Sequence, residues 1–190
     1  MKRTIFAVLI AAAVTAACGQ VSPAGLIQAA RLDPLETTPS DIFVAVGVPQ
    51  SIQMRSGDAS LYLSFQPNEG DLVEATVPLA RLENQLPPMP SRADQAVYVF
   101  GFAPDDADLL AQTQAQIRNL KANGVDGTGT LSVVINGGCY DGELDDSLLA
   151  STWLKTSPQA QFTQMTRSTS LFDMLDAASS EAIKSGLVPC

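Results

Sequence analysis

The chain has 190 residues, of which 46% are apolar, and its 20 acidic and 11 basic side chains give a net charge of −9. This composition is typical of a globular domain. It excludes a disordered tail, and it excludes a membrane-spanning segment beyond the apolar run near the N-terminus. The acidic balance disfavours nucleic acid and other polyanions as partners, because like charges repel.

The first 17 residues have the three-part layout of a secretory signal peptide. Lys2 and Arg3 form a positive start, and an apolar run from 5 to 13 follows. That run is too short to span the ~30 Å hydrocarbon core of a bilayer with flanks to spare. We therefore expect residues 1–17 to be removed, which lowers the net charge from −9 to −11.

Residues 15–19, Thr-Ala-Ala-Cys-Gly, resemble the lipobox of bacterial lipoproteins, in which small residues precede a lipidated cysteine. The resemblance implies that Cys18 receives a diacylglyceryl group, becomes the N-terminus and anchors the chain to a membrane, facing the periplasm. The family usually has Leu where Thr15 stands. The residue after the cysteine is Gly19 and not Asp, and this resembles lipoproteins that are sorted to the outer membrane. The alternative is ordinary signal peptidase cleavage after Ala16, which would leave a soluble periplasmic protein.

Three cysteines are an odd number, which calls for an explanation in an exported protein. Lipidation of Cys18 leaves Cys139 and Cys190 as a pair in an oxidising compartment, where a disulfide persists. We predict that these two are bonded, and a closed loop of about 50 residues would then contribute roughly 4 kcal/mol to stability. The alternative is two buried thiols that never meet.

We expect residues 18–40 to form a lipidated N-terminus followed by a flexible tether. Beyond it the apolar residues recur with a period of two, which predicts strands within 42–46, 61–65 and 72–82. Turn-forming Gly, Pro, Asn and Asp residues separate these strands at short spacing, which favours antiparallel pairing. The segment 85–90 contains three prolines and is predicted to be a loop.

The second half alternates strands with helices. The predicted elements are a strand at 96–100, a helix at about 105–123, strands at 130–135, 148–155 and 161–166, and a final helix at about 171–185. Asp105 or Asp106 would cap the first helix and Gly124 would end it. A turn is expected at 136–139, Asn-Gly-Gly-Cys. The sequence thus predicts a single α+β domain over residues 41–190, rich in antiparallel strands and with two helices.

The order of elements in the second half of the chain also resembles a known group of proteins. The Gly-Thr-Leu-Ser-Val strand at 129–133, the Gly-Cys turn and the run Ser-Thr-Trp-Leu-Lys-Thr at 151–156 are similar to small lipoproteins of alphaproteobacteria. The similarity covers the second half of the chain. That group has no assigned activity, so the resemblance implies no site residue and no substrate.

The chain lacks histidine, which excludes serine–histidine and cysteine–histidine hydrolases and the usual zinc enzymes. Serine–lysine catalysis needs a serine three residues before a lysine, and Lys121, Lys155 and Lys184 all lack one. The glycines around residues 124–129 are not followed by the Gly-Lys-Ser or Gly-Lys-Thr of a phosphate-binding loop.

One acidic cluster has the spacing of metal ligands. Asp141, Glu143 and Asp145 match the first positions of an EF-hand calcium loop. The match then fails, because Asp146 stands where glycine is needed and Thr152 stands where the bidentate glutamate should be. A solvated acidic loop explains the cluster better than a calcium site does.

From these observations we expect a non-enzymatic lipoprotein of the cell envelope, without cofactor or metal, that binds a protein or envelope component through a surface or a sheet edge. One alternative is an enzyme acting on cell-wall glycan, which requires two carboxylates within about 10 Å in a groove and a raised pKa on at least one. Another is a periplasmic binder of a small ligand, which requires an apolar cavity of several hundred Å³.

Overall fold

The structure is a computed structural model that describes residues 33–143, 148–170, 181 and 184–190. Within them one turn of 3-10 helix at Pro39–Asp41 precedes the first strand. The remaining elements are β1 Phe43–Pro49, β2 Ile52–Gln53, β3 Ala59–Pro67, β4 Val73–Pro78, β5 Ala80–Leu82, β6 Gln95–Gly101, α1 Pro104–Ala122, β7 Gly127–Ile135, β8 Gly138–Tyr140, β9 Leu149–Lys155, β10 Thr163–Ser170 and β11 Leu187–Pro189.

The described strands form three sheets. Their orders are β10-β9-β1-β6-β5, β4-β3-β7 and β11-β8-β2. Pairing is antiparallel throughout except between β8 and β11, which run parallel. The predicted α+β class with mainly antiparallel strands is confirmed.

The main hydrophobic core combines one face of each larger sheet with one face of the helix. Alternate residues of β1, beginning at Val44, point into this core, as do alternate residues of β3 beginning at Leu61. Leu110 and Ile117 of α1 fill it from the helix side. The period of two expected from sequence is therefore the alternation between this core and the opposite face of each sheet.

A second, smaller cluster lies on the other face of the five-stranded sheet. Ala45, Val99 and Trp153 are buried there, and Phe162 packs against them. Gly47 makes room for the indole, because a Cβ atom at Gly47 would lie 3.0 Å from the Trp153 ring. Strand β9 is consequently buried on both of its faces.

Helix α1 begins and ends for identifiable reasons. Ala103 is the N-cap residue and Pro104 occupies the first turn, where its missing N–H is tolerated. The prediction that Asp105 or Asp106 caps the helix is wrong, because both lie inside the first turn, where their charge still favours the positive end of the helix dipole. Gly124 follows the helix with a φ of +76°, as expected for a terminating glycine.

Several predicted elements differ in extent. The single strand expected at 72–82 is two strands, β4 and β5, that belong to different sheets. The expected turn at 136–139 overlaps the short strand β8, and the sequence did not indicate β2 or β11. The predicted helix at 171–185 lies mostly outside the described residues, although residues 181, 184 and 185 are helical.

The last part of the predicted tether is held against α1. The side-chain amide of Gln114, which is buried, donates to the carbonyl oxygens of Pro34 at 2.7 Å and Thr37 at 2.9 Å. Arg118 donates to the carbonyl oxygen of Leu35. The folded part of the chain thus includes residues before 41, because buried donors on the helix satisfy the backbone of this segment.

No helix in the described part of the chain is long and apolar enough to cross a membrane.

Candidate binding sites

The cysteines fall into two groups. Cys18, the predicted lipidation site, lies outside the described residues. Cys139 on β8 and Cys190 after β11 are bonded to each other, with Cα atoms 4.9 Å apart. The bond holds the parallel pair of β8 and β11 together, and a guanidinium nitrogen of Arg55 lies 3.2 Å from the sulfur of Cys139.

The acidic loop does not form a described metal site. Asp141 accepts a hydrogen bond from the side-chain amide of Gln53 at 3.0 Å, and Glu143 is exposed. Asp145 and Asp146 lie outside the described residues. Among the side chains that the structure does describe, no three potential metal ligands come together.

One described carboxylate has a clearly shifted pKa. Arg92 donates hydrogen bonds to both carboxylate oxygens of Asp94, at 2.9 and 3.0 Å, and these bonds lower the pKa of Asp94. A general acid for glycan cleavage needs the opposite shift. Asp94 therefore does not have the pKa expected of such an acid.

Among the described strands, the two larger sheets have four outer strands, and three of these carry features that discourage further pairing. Natural proteins protect sheet edges with short strands, charges, prolines and bulges. Strand β5 has only three residues, and β4 carries Glu74 and ends at Pro78. Strand β10 contains Arg167 and two interruptions of register.

The fourth outer strand, β7, lacks all of these features. It has nine residues, Gly-Thr-Gly-Thr-Leu-Ser-Val-Val-Ile, with no charge and no proline, and its register with β3 is unbroken from Gly127 to Ile135. In the part of the chain that the structure describes, β3 is its only strand partner. We call the outer side of this strand the β7 edge. It presents main-chain donors and acceptors that another extended chain could pair with.

A cleft of about 620 Å³ lies on the five-stranded sheet near the end of β9. Its apolar wall is formed by the proline-rich segment 84–89, in which the side chains of Leu86 and Met89 are almost fully exposed. Phe162 and Lys155 also line it. We call this space the Lys155 cleft.

Lys155 is buried, with 8% of its surface exposed, although it carries a charge. Its ammonium nitrogen lies 4.5 Å from the ring centre of Phe43, its direct cross-strand partner on β1, and 5.3 Å from that of Phe162. It also donates a long hydrogen bond of 3.4 Å to the carbonyl oxygen of Pro158. No described ion pair includes this lysine, and no carboxylate is among the described residues that line the cleft.

A second cleft, of about 390 Å³, lies between the C-terminal half of α1 and the paired strands β3 and β7. Gly129 stands opposite Phe65 and leaves this space open, because a Cβ atom there would meet only one backbone oxygen, at 3.7 Å. Lys121, exposed on α1, and Asp33 are its charged lining residues. Among the side chains that the structure describes, no pair of carboxylates lines either of these two clefts.

Sequence reasoning found the disulfide but neither the β7 edge nor the Lys155 cleft. Strand order is needed to recognise an edge, and the neighbours of Lys155 come from β1 and from residues near β10. The sequence did contain one indication of the cleft, because Lys155 ends the strand predicted at 148–155 and lies on the same face as Trp153, two residues earlier.

No family model matches the chain, and no curated protein or solved structure is significantly similar to it.

Proposed function

We propose that this chain is a lipid-anchored protein of the bacterial cell envelope that binds an extended segment of a partner protein at the β7 edge. The observation that carries the proposal is the contrast between the sheet edges. Three outer strands are short, charged, proline-terminated or bulged, whereas β7 is long, uncharged and regular over nine residues. Exposed edges of this kind pair with other chains, so a protein retains one where pairing is useful.

The chemistry of the edge suits recognition through the main chain. In an antiparallel pair, alternate residues direct their N–H and C=O groups away from the existing partner. An added strand would bond to those groups on β7, and each such hydrogen bond contributes about 1 kcal/mol net. Exposed side chains such as Thr130 and Val134 would then contact side chains of the added strand and provide specificity.

The membrane anchor in this proposal is supported by the first part of the sequence and by the cysteines. The lipobox-like residues 15–19 imply lipidation of Cys18. The bonded pair of Cys139 and Cys190 fits an exported protein, because disulfides persist in oxidising compartments. We propose the outer membrane as the final location, on the basis of Gly19.

The edge proposal is tested with two matched substitutions. Thr130→Lys places a charge on β7, and Thr76→Lys places the same charge on β4, at the other side of the same sheet. Both threonines are exposed and face the same side of the sheet, so the two variants differ mainly in the edge that they alter. We expect pull-downs from detergent-solubilised envelopes to recover a partner with the parent chain and with Thr76→Lys, but not with Thr130→Lys.

Two results would count against partner binding at β7. One is recovery of the bait alone by the parent chain at several salt concentrations, and the other is equal partner recovery with both variants. Thermal melting of the two variants checks that each is folded. A loss of binding with Thr130→Lys is interpreted only when its melting temperature matches that of Thr76→Lys.

The anchor is tested separately by intact mass. The proposal predicts a mature chain that begins at Cys18, with the mass of two or three acyl chains added and two hydrogens fewer for the disulfide. Cys18→Ser should abolish the added lipid mass and release the protein from the membrane fraction. A parent chain that begins at Cys18 without lipid, or that begins at Ala17, would refute the anchor.

A further inference from the structure

We propose that the Lys155 cleft binds a small organic anion with one carboxylate and an apolar body. This site is separate from the β7 edge, and its occupant does not depend on a protein partner. The proposal rests on three features of the described residues: a buried cation without an acidic partner, an exposed apolar wall, and a volume within the usual range for ligand sites.

The cation is the first feature. Lysine is rarely buried unless its charge is paired, because removing the charge from water costs free energy. Lys155 is more than nine-tenths buried, yet the described groups around its ammonium nitrogen are two aromatic rings and one carbonyl oxygen at 3.4 Å. The rings of Phe43 and Phe162 stabilise the ammonium group through cation–π interactions, but they do not neutralise its charge.

The lack of an acidic neighbour among the described residues is informative because the chain is rich in acids. The sequence has 20 acidic residues, and none of those that the structure describes lines the Lys155 cleft. The polar lining side chains are instead amides, including Asn84 and Gln161, which can donate hydrogen bonds to an anion. One buried positive charge is balanced by one negative charge, so a monocarboxylate fits the site better than a doubly charged phosphate does.

The apolar wall of the cleft determines which apolar body the ligand can have. Leu86 and Met89 are 89% and 87% exposed, and prolines at 87, 88 and 90 restrict the segment that carries them. Two fully exposed apolar side chains beside a cleft lose contact with water when an apolar group enters, which favours binding. The cleft of about 620 Å³ accommodates a short acyl chain or an aromatic acid.

Octanoate is a suitable probe, with octanol and acetate as controls that lack the charge and the apolar chain respectively. The chain has a single tryptophan, Trp153, which is next to Phe162 in the second core cluster and therefore reports on the cleft by fluorescence. With the full chain in a neutral sugar detergent, we expect saturable binding of octanoate at one site. Octanol and acetate should bind at least tenfold more weakly.

The variants are chosen to separate charge from shape. Lys155→Met keeps the length of the side chain and should weaken octanoate at least tenfold, whereas Lys155→Arg keeps the charge and should retain binding. Lys121→Met is the matched control, since Lys121 is exposed and does not line this cleft. Leu86→Asp tests the site at an exposed position where folding is not at risk. Loss of the apolar contact should weaken both octanoate and octanol, and charge repulsion should weaken octanoate further.

Three results would overturn the proposal. The first is equal affinity for octanoate and octanol, which would mean that the charge has no role. The second is unchanged octanoate binding in both Lys155→Met and Leu86→Asp. The third is the absence of saturable octanoate binding by the parent chain, which would leave Lys155 as a lysine held only by its aromatic neighbours.

Discussion

Replacing both Cys139 and Cys190 with serine removes the covalent link between β8 and the residue that follows β11. The sequence separation across this bond is 51 residues. In the chain-entropy description, opening a loop of that size lowers the free energy of unfolding by about 4 kcal/mol at 25 °C. For a domain of this size that corresponds to a fall in melting temperature of roughly 8–16 °C.

The contacts that remain after the bond is removed are few. Strand β11 pairs with β8 at three positions, buries Leu187 and donates one further hydrogen bond, from the backbone N–H of Cys190 to the carbonyl oxygen of Tyr140 at 3.0 Å. The disulfide is therefore the main restraint that keeps this segment on β8. Val188 is already about half exposed, so its contact with β8 buries little apolar surface.

The assay is thermal melting by circular dichroism of the parent and the double variant, each with and without reductant. The double variant is used because either single substitution would leave one free thiol, at the buried Cys139 or at the exposed Cys190. The reductant should lower the melting temperature of the parent to that of the double variant and should leave the double variant unchanged. If the oxidised parent and the double variant melt within about 2 °C of each other, the entropic estimate is refuted.

Two further predictions concern α1 and one exposed ion pair. Gln114→Leu leaves two carbonyl oxygens of the segment 34–37 without their buried donor and should lower the free energy of unfolding by about 2 kcal/mol in urea denaturation, whereas the exposed Gln116→Leu should not. Equal effects of the two substitutions would refute the role of Gln114. Arg92→Gln should raise the pKa of Asp94 toward its ordinary value in an NMR titration, because the hydrogen bonds that lower it are lost. The lowered pKa stabilises the fold above the ordinary pKa of aspartate, and this contribution disappears as the pH falls through the folded-state value. An unchanged pKa of Asp94 would contradict the assignment.

Burial and edge position explain why the two proposed sites differ in kind. The β7 edge exposes main-chain groups that any extended segment can reach, so specificity there must come from side chains such as Thr130. The Lys155 cleft combines one buried charge with amide and apolar side chains, so we expect it to discriminate by charge and length. Each proposal has its own variants, and failure of one leaves the other standing.

Local pattern was sufficient for the elements that have a regular period and a clear end. The alternation along β1 and β3 arises because one face of each strand is buried, and that alternation is visible in sequence. The extent of α1 follows from Pro104 at its start and Gly124 at its end. The odd number of cysteines, together with the lipobox-like leader, was enough to pair Cys139 with Cys190.

Short elements and the neighbours of a side chain depended on contacts between distant parts of the chain. Strands β2, β8 and β11 have two or three residues each, too few to show a period, and they exist because they pair with one another. The separation of β4 from β5 reflects which sheet each one joins.

The same reason separates what the sequence determined from what the tertiary structure decided. The sequence by itself determined the class of fold and indicated the cysteine pair, because each of these depends on residue type and local spacing. Only the tertiary structure decided that, within the described residues, β7 is an outer strand paired on one side and Lys155 meets Phe43 and Phe162 without an acid. Both depend on strand order, which is set by packing between segments far apart in the chain and is not written in any local pattern.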